Sequence, residues 1–279
     1  MKSLTKRLLT AAVAIPLLII VALLPQQNYL AFFFVIVFAD VVGTYEMKEN
    51  ILSKIGHVPN SVYLGVLMPI AHYIQLSLCP TINLSMYAFA MVVGIACAIE
   101  IYAGAKDNFK DTLGRLGRAI LAITYPSLFG MFLVKLCFMN KANWMIIYFL
   151  ALVFGTDSFA YFTGMAFGKN NKGFIKVSPN KSVAGFIGGI LVPAIAGAVT
   201  PLLFPDVFAY LPWQGFIIGA VTAVFSCVGD LIESCFKRAS GVKDSGVIIP
   251  GRGGMLDSID SILIAIPFYL VFMELFLGA

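Results

Sequence analysis

Seven charged side chains crowd between two strongly apolar segments near the carboxyl end of the chain. They are Lys237, Arg238, Lys243, Asp244, Arg252, Asp257 and Asp260. Charged residues make up only 12% of the 279 residues, and charges at a membrane cost free energy unless something uses them. Basic groups bind polyanions, and carboxylates bind the metal ions that accompany polyanions. The cluster therefore predicts an enzyme site built at a bilayer.

The residues around this cluster are predicted to form a helix, a glycine-rich loop and a second helix. A helix through residues 226–238 brings side chains that are three or four positions apart onto one face. Those side chains are Asp230, Glu233, Ser234 and Lys237, with Arg238 beside them. Five glycines in the loop permit close backbone approach, which lets N–H groups point at phosphate oxygens. Asp257 and Asp260 then open the next helix as hard oxygen ligands suited to Mg²⁺, and with Asp230 they are predicted to bracket a metal pair.

Membrane helices must position these residues. The chain is 60% hydrophobic with a mean hydropathy of +0.93, which is too apolar for a soluble globule. Continuous apolar runs long enough to cross a core of roughly 30 Å predict an all-α polytopic protein with about nine transmembrane helices. The runs are residues 8–24, 29–45, 61–78, 84–103, 118–138, 143–167, 183–204, 213–233 and 260–277. The second run is the weakest, because Asp40, Gly43 and Glu46 interrupt or end it.

The distribution of basic residues predicts the orientation. If the N-terminus lies in the cytoplasm, all of the nineteen basic residues except Lys135 and Lys141 fall on the inner side. The first run has no small-residue cleavage motif before Pro25, so we expect a retained anchor rather than a signal peptide. The expected location is the cytoplasmic (inner) membrane, with the catalytic loops in the cytoplasm. Anionic lipid headgroups account for many of the basic residues, and no nucleic acid is needed to explain them.

The remaining polar and small residues divide into structural and functional candidates. Asp157 is favoured as functional, because acids within membrane spans are usually used, whereas Asp40, Glu46 and Glu100 are favoured as structural. Five unpaired cysteines indicate neither disulfides nor a zinc site. The glycines at 164, 168, 185, 188 and 189 favour close helix packing over ligand binding, and such small-residue faces are compatible with a homodimer.

The order of residues in the charged cluster resembles the signature of the phosphatidate cytidylyltransferases, or CDP-diacylglycerol synthases. The matching positions are Ser234, Phe236, Lys237, Arg238, Lys243, Asp244, Gly246, Ile249, Pro250, Gly253, Gly254, Met255, Asp257, Ile259 and Asp260. Upstream, residues 156–169 and 178–189 are similar to two further family segments, and the likeness covers residues 143–277. The predicted division is therefore residues 1–142 as about five membrane spans and residues 143–279 as the catalytic membrane region. Four positions depart from the family pattern: Asn180, Ala184, Arg252 and Ser258.

The resemblance implies a reaction and a set of roles. Members of this family join phosphatidate to CTP, releasing pyrophosphate and leaving CDP-diacylglycerol in the membrane. Because the attacking phosphate is already ionised near neutral pH, no general base is required, and neither His57 nor His72 lies in the cluster. The predicted metal ligands are Asp230, Asp257 and Asp260, with Asp244 as a weaker candidate, for Mg²⁺ and a second cation. The predicted catalytic residues are Asp230, Lys237, Arg238, Asp257 and Asp260, and the predicted substrate-binding residues are Asp157, Ser178, Lys181, Ser234, Lys243, Arg252, Gly253 and Gly254.

Two other readings compete with this one. A CTP-dependent lipid or polyprenol kinase shares the membrane architecture and the nucleotide, but releases CDP instead of pyrophosphate. A membrane transporter is suggested by acids within spans and by glycine-interrupted helices. Transport predicts polar residues spread through the bilayer depth, whereas the charged residues here gather at the inner face.

Overall fold

The computed structural model describes residues 3–277 and consists of helices joined by short loops. The ten α-helices are α1 (Ser3–Ala22), α2 (Gln26–Tyr45), α3 (Leu67–Leu78), α4 (Leu84–Ala105), α5 (Thr112–Ile123), α6 (Phe129–Leu136), α7 (Ala142–Phe167), α8 (Val183–Leu203), α9 (Pro212–Ala239) and α10 (Leu256–Leu277). Two π-helices (Glu46–Ile51 and Thr124–Leu128) and two 3₁₀-helices (Leu52–Lys54 and Asn60–Val66) extend four of them. Residues 3–277 contain no β-strand, which confirms the all-α prediction.

Within the described part of the chain, eight helical stretches are long and apolar enough to cross a membrane. They are Gln26–Lys54, Asn60–Leu78, Leu84–Ala105, Thr112–Leu136, Ala142–Phe167, Val183–Leu203, Pro212–Ala239 and Leu256–Leu277. Each coincides with one of the predicted runs, so the polytopic membrane architecture is confirmed. The first predicted run, residues 8–24, is helical in α1, but several of its side chains lie outside the described part of the chain. Its role as a ninth span and retained anchor stays a prediction.

The second span does not stop at its polar residues. Right-handed helix begins after Tyr29, because Gln27, Asn28 and Tyr29 have positive φ angles. The helix then passes Asp40 without a break, and at Glu46 it changes from α to π geometry before it continues to Lys54. The polar residues therefore mark a change of helix type rather than an end.

The chain divides into two compact units. Unit 1 comprises residues up to Phe138 together with Phe236–Ile259, and unit 2 comprises Met139–Cys235 together with the residues from Asp260 onwards. The loop that carries the predicted signature thus packs with the N-terminal half. The functional division into residues 1–142 and 143–279 stays a prediction, since packing and catalysis need not divide the chain at the same place.

Unit 1 has an apolar core and a buried ion-pair network centred on Arg115. The largest fully buried side chains include Met47, Ile51, Met68 and Ile123. Arg115 on α5 donates from Nη2 to Oε1 of Glu100 on α4 at 2.6 Å, and it also pairs with Asp107 in the connecting loop. The hydrogen bond from Arg115 holds the pKa of Asp107 below its ordinary value. The Arg115 pairs therefore join α4, its following loop and α5, and they give Glu100 the structural role that was expected.

Unit 2 is held together by close helix contacts. A Cβ on Gly189 of α8 would lie 2.9 Å from the Cβ of Ala160 on α7, and a Cβ on Gly185 would lie 2.8 Å from the Ala160 carbonyl oxygen. Only glycine permits this approach, which confirms the packing interpretation of those residues. Within the core of unit 2, Tyr269 of α10 donates a hydrogen bond to the Met145 carbonyl of α7 at 3.1 Å.

All five cysteines are free thiols, as the lack of paired spacing predicts. Two of them, Cys137 and Cys227, are buried among apolar side chains. The Cys137 thiol therefore behaves as a small apolar side chain.

Candidate active site

The predicted helix, loop and second helix are present at the charged cluster. Helix α9 ends at Ala239 and α10 begins at Leu256, so the intervening loop starts at Ser240 and ends at Met255. Gly253 has a φ of +117°, a conformation that side chains with a Cβ rarely adopt. A Cβ on Gly253 would also lie 2.5 Å from Oδ2 of Asp257. The glycine at this position is therefore required by the backbone turn itself.

Asp257 is the centre of a group of contacts that we call the loop cluster, formed by Glu46, Lys237, Ser245, Gly254 and Asp257. Oδ1 of Asp257 accepts from Lys237 Nζ at 2.5 Å. Oδ2 accepts from the backbone N–H groups of Ser245 at 2.8 Å and Gly254 at 2.7 Å, and from the Ser245 hydroxyl at 2.9 Å. Charge-assisted hydrogen bonds of this kind are stronger than neutral ones. They fix the loop against the start of α10 and hold the Lys237 ammonium beside it.

Sequence reasoning missed two members of the loop cluster: Ser245 and, far from the signature in the chain, Glu46. It lies outside every matched segment, yet its carboxylate accepts from the N–H groups of Met255 at 3.0 Å and Leu256 at 2.8 Å. Its Oε2 also lies 3.1 Å from the Ser245 hydroxyl. The one available signal was a carboxylate at the end of an apolar run, since a buried acid needs partners.

A second pair of charges lies in unit 2. The segment Ser178–Ser182 leads into α8, and the Ser182 hydroxyl caps that helix by accepting from the Gly185 N–H at 3.1 Å. The preceding residue, Lys181, forms an ion pair with the Asp230 carboxylate of α9. The two side chains are 28% and 33% exposed, which leaves both partly accessible. Lys181 Nζ also lies 5.4 Å from the centre of the Phe186 ring.

The other predicted site residues differ in accessibility. Arg238, Lys243, Asp244, Arg252 and Asp157 are exposed, Ser178 is half-buried, and Ser234 and Asp260 are buried. Oδ1 of Asp260 accepts from the Ser261 N–H at 2.6 Å. Among the predicted site residues, Lys237 forms an ion pair with Asp257, and Lys181 forms one with Asp230.

The backbone of the Gly253–Gly254 pair is already engaged within the loop. The Gly253 N–H donates to the Ile249 carbonyl at 3.0 Å, and the Gly254 N–H donates to Asp257. The role of these two residues in phosphate binding stays a prediction.

The carboxylates of the site are candidate ligands for Mg²⁺. Among residues 3–277, no group of three or more His, Cys, Asp or Glu side chains is arranged to hold a metal ion. Asp230 and Asp257 each present a carboxylate oxygen to a lysine ammonium, which shows that these oxygens already face a positive charge. Magnesium bound with a nucleotide usually takes one or two protein carboxylates and completes its shell with phosphate oxygens and water. Each of these carboxylates, taken within its own unit, fits that mode of binding.

The membrane helices and the signature loop define the class of this protein. The chain matches the cytidylyltransferase family over residues 5–276, and it belongs to that family. A phosphatidate cytidylyltransferase from Bacillus subtilis (strain 168) is 30% identical over 99% of this chain and 100% of its own length. One from Pseudomonas aeruginosa is 32% identical, with 95% of each chain covered. One from Haemophilus influenzae is 45% identical over 138 residues, which are 46% of this chain and 45% of that protein.

Proposed function

We propose that the protein transfers the cytidylyl group of CTP to phosphatidate. A phosphate oxygen of phosphatidate forms a bond to the α-phosphorus of CTP, the bond from that phosphorus to the bridging oxygen breaks, and pyrophosphate leaves. The product, CDP-diacylglycerol, stays in the membrane and serves phospholipid synthesis. Family membership over nearly the whole chain supports this function.

The observation that carries the proposal is the anchored contact between Lys237 and Asp257. The two side chains are 12% and 7% exposed, so their charges act in a poorly solvated environment where electrostatic interactions are strong. The exposed basic residues of the same segment, Arg238, Lys243 and Arg252, extend the positive charge toward solvent. A fixed set of cations is what the reaction needs, because two anionic substrates must approach each other.

The chemistry needs positioning more than proton transfer. A phosphate monoester has a second pKa of about 6, so the attacking oxygen is ionised at neutral pH without a general base. We assign Lys237, Arg238, Lys243 and Arg252 to the triphosphate and the lipid phosphate, with Lys181 and Ser178 in support. Asp157 and Ser234 are assigned to substrate binding as well.

We assign Asp230, Asp257 and Asp260, with Asp244 as a weaker candidate, to Mg²⁺ binding. Bound Mg²⁺ supplies charge neutralisation for the triphosphate and the pyrophosphate leaving group. The Lys237 and Lys181 ammonium groups hold two of these carboxylates in place. Displacing either lysine from its carboxylate exposes an oxygen ligand for the cation.

We also propose that the site faces the cytoplasm from the inner membrane. CTP is a cytoplasmic nucleotide. The basic residues also concentrate in the loops on one side of the predicted spans, and this is the side that the positive-inside rule assigns to the cytoplasm.

The decisive experiment is a product analysis with the purified protein in lipid. Incubation with CTP, phosphatidate and Mg²⁺ should yield pyrophosphate and CDP-diacylglycerol in equal amounts. A parallel reaction with diacylglycerol in place of phosphatidate should yield neither pyrophosphate nor CDP. Release of CDP with a phosphorylated lipid alcohol would instead establish a kinase, and the proposal would fail.

A further inference from the structure

Glu46 is a fully buried carboxylate whose contacts all lead to the signature loop. Its exposed fraction is 0%, and it is the first residue of the π-helix Glu46–Ile51. π-Helical turns are uncommon and often occur at functional sites. A buried charge without partners costs several kcal/mol or more, so this side chain must have a compensating environment.

That environment is the start of α10. The first N–H groups of a helix have no partner within it, and they carry the positive end of the helix dipole. Glu46 receives two of these donors, the N–H groups of Met255 and Leu256, one on each carboxylate oxygen. A residue 210 positions earlier in the chain therefore caps the helix that begins with Leu256 and Asp257.

Ser245 links Glu46 to Asp257. Its hydroxyl lies 3.1 Å from Glu46 Oε2 and 2.9 Å from Asp257 Oδ2, and it accepts from the Asp257 N–H at 3.2 Å. The π-helix makes one more contact here, because Asn50 Nδ2 donates to the Ser245 carbonyl at 2.7 Å. One turn of π-helix thus holds both the side chain and the backbone of Ser245.

Two loop glycines leave room for the Glu46 carboxylate. A Cβ on Gly246 would collide with Oε1, and a Cβ on Gly254 would collide with Oε2 and with the Ser245 hydroxyl. Both glycines belong to the predicted signature. A steric requirement therefore explains why these two positions are glycine: any larger side chain would occupy the space of the Glu46 carboxylate. This requirement is separate from any role of the two glycines in phosphate binding.

We propose that Glu46 is a positioning residue for the active site: it caps α10 and, through Ser245, fixes the Asp257 carboxylate. This inference rests on the proposed function, because the loop is taken to be the place where CTP and phosphatidate react. Glu46 itself touches neither substrate. Its effect on the reaction passes through Ser245 and the start of α10.

The test compares Glu46→Ala and Glu46→Gln with the control Glu49→Gln. Glu49 lies in the same π-helix, but its side chain is 39% exposed and pairs with Lys48. Glu46→Ala should speed amide hydrogen exchange in residues 245–257 by about tenfold or more, because each lost hydrogen bond loosens the loop. Glu46→Gln keeps one acceptor oxygen and should lower kcat/KM by about threefold to tenfold, with Glu46→Ala losing more. Glu49→Gln should change neither measurement.

A coupling measurement separates positioning from general destabilisation. If Glu46 acts through Ser245, the double variant Glu46→Gln/Ser245→Ala should lose less activity than the product of the two single losses. Strictly multiplicative losses with a lowered unfolding temperature would indicate a general stability effect and overturn the proposal. Glu46→Gln with the same exchange and activity as Glu49→Gln would overturn it as well, and this outcome can be read even if Glu46→Ala does not fold.

The exchange data also distinguish this inference from the proposed function. If the wild-type protein forms no CDP-diacylglycerol but Glu46→Ala still loosens residues 245–257, the capping role of Glu46 stands and the proposed function falls. If the wild-type protein is active and Glu46→Ala loses activity without faster exchange, Glu46 acts on the substrates directly and the positioning role falls.

Discussion

At the scale of single residues, the two oxygens of Asp257 have different partners. Oδ1 accepts from the Lys237 ammonium, whereas Oδ2 accepts three bonds from Ser245 and Gly254. An oxygen with three donors is saturated, while an oxygen that accepts from a lysine ammonium can exchange that cation for another one. We therefore expect Oδ1 to be the oxygen that binds a metal ion.

Asp257→Asn tests this expectation. The amide keeps the size of the side chain but replaces one acceptor oxygen with a donor, which cannot face Lys237 or a cation. We expect cytidylyl transfer to fall by about a hundredfold or more, as happens when a preorganised electrostatic group is lost. The matched control is Glu274→Gln, an acid near the other end of α10, which should stay near wild type. Activity of Asp257→Asn within a few-fold of wild type, measured as pyrophosphate release, would contradict the role given to Asp257.

At the scale of elements, the apolar runs were predictable and the contacts between distant elements were not. Within residues 3–277, eight of the predicted runs are helices long and apolar enough to cross a membrane, because lipid forces each segment to satisfy its own backbone hydrogen bonds, and that constraint is local. The signature motif also located Lys237 and Asp257, which lie near each other along the chain. The partners of Lys181 and Glu46 lie 49 and about 200 positions away, and no local pattern specifies such pairs. Glu46 also lies outside the matched motifs, so the sequence alone favours a structural role for it.

The contact between α7 and α8 leads to a prediction about stability. Gly189→Ala would put a methyl group 2.9 Å from Ala160 Cβ and 3.0 Å from the Thr156 carbonyl oxygen. Because neither neighbour can rotate away, the helices must separate, at a cost of about 1–3 kcal/mol in the free energy of unfolding. Gly155→Ala on α7 is the control, since a Cβ there meets nothing within 4 Å. Reversible unfolding in detergent should give a lower free energy of unfolding for Gly189→Ala than for the wild-type protein. The value for Gly155→Ala should be unchanged or slightly higher.

The Arg115 network leads to a second stability prediction, in unit 1. Glu100→Gln removes the charge that faces a buried guanidinium, and breaking a buried pair by changing one partner is strongly destabilising. The unfolding temperature should fall by several degrees. Asp111→Asn breaks the neighbouring pair with Arg118, whose acid is 49% exposed, and should have a much smaller effect. The KM for CTP should be the same in both variants, and a changed KM in Glu100→Gln would argue for a role in substrate binding.

At the scale of the whole molecule, the sequence predicts that most Lys and Arg side chains lie on the cytoplasmic side of the membrane. Helix α7 offers a direct test, because a basic residue lies at each end: Lys141 precedes Ala142, and Lys169 follows Gly168. A helix of 26 residues rises about 39 Å, which exceeds a hydrocarbon core of roughly 30 Å. The two lysines must therefore lie on opposite sides if α7 spans the bilayer.

Cysteine labelling at these two positions determines the orientation. In a variant without the five native cysteines, a membrane-impermeant maleimide added to intact cells should label Lys141→Cys and not Lys169→Cys. Inside-out vesicles should give the reverse result. Labelling of both positions from one side would mean that α7 does not cross the membrane, and labelling of Lys169→Cys alone in intact cells would put the basic loops outside. In that second case the signature loop would face away from cytoplasmic CTP, so the same measurement decides whether the proposed reaction has access to its nucleotide.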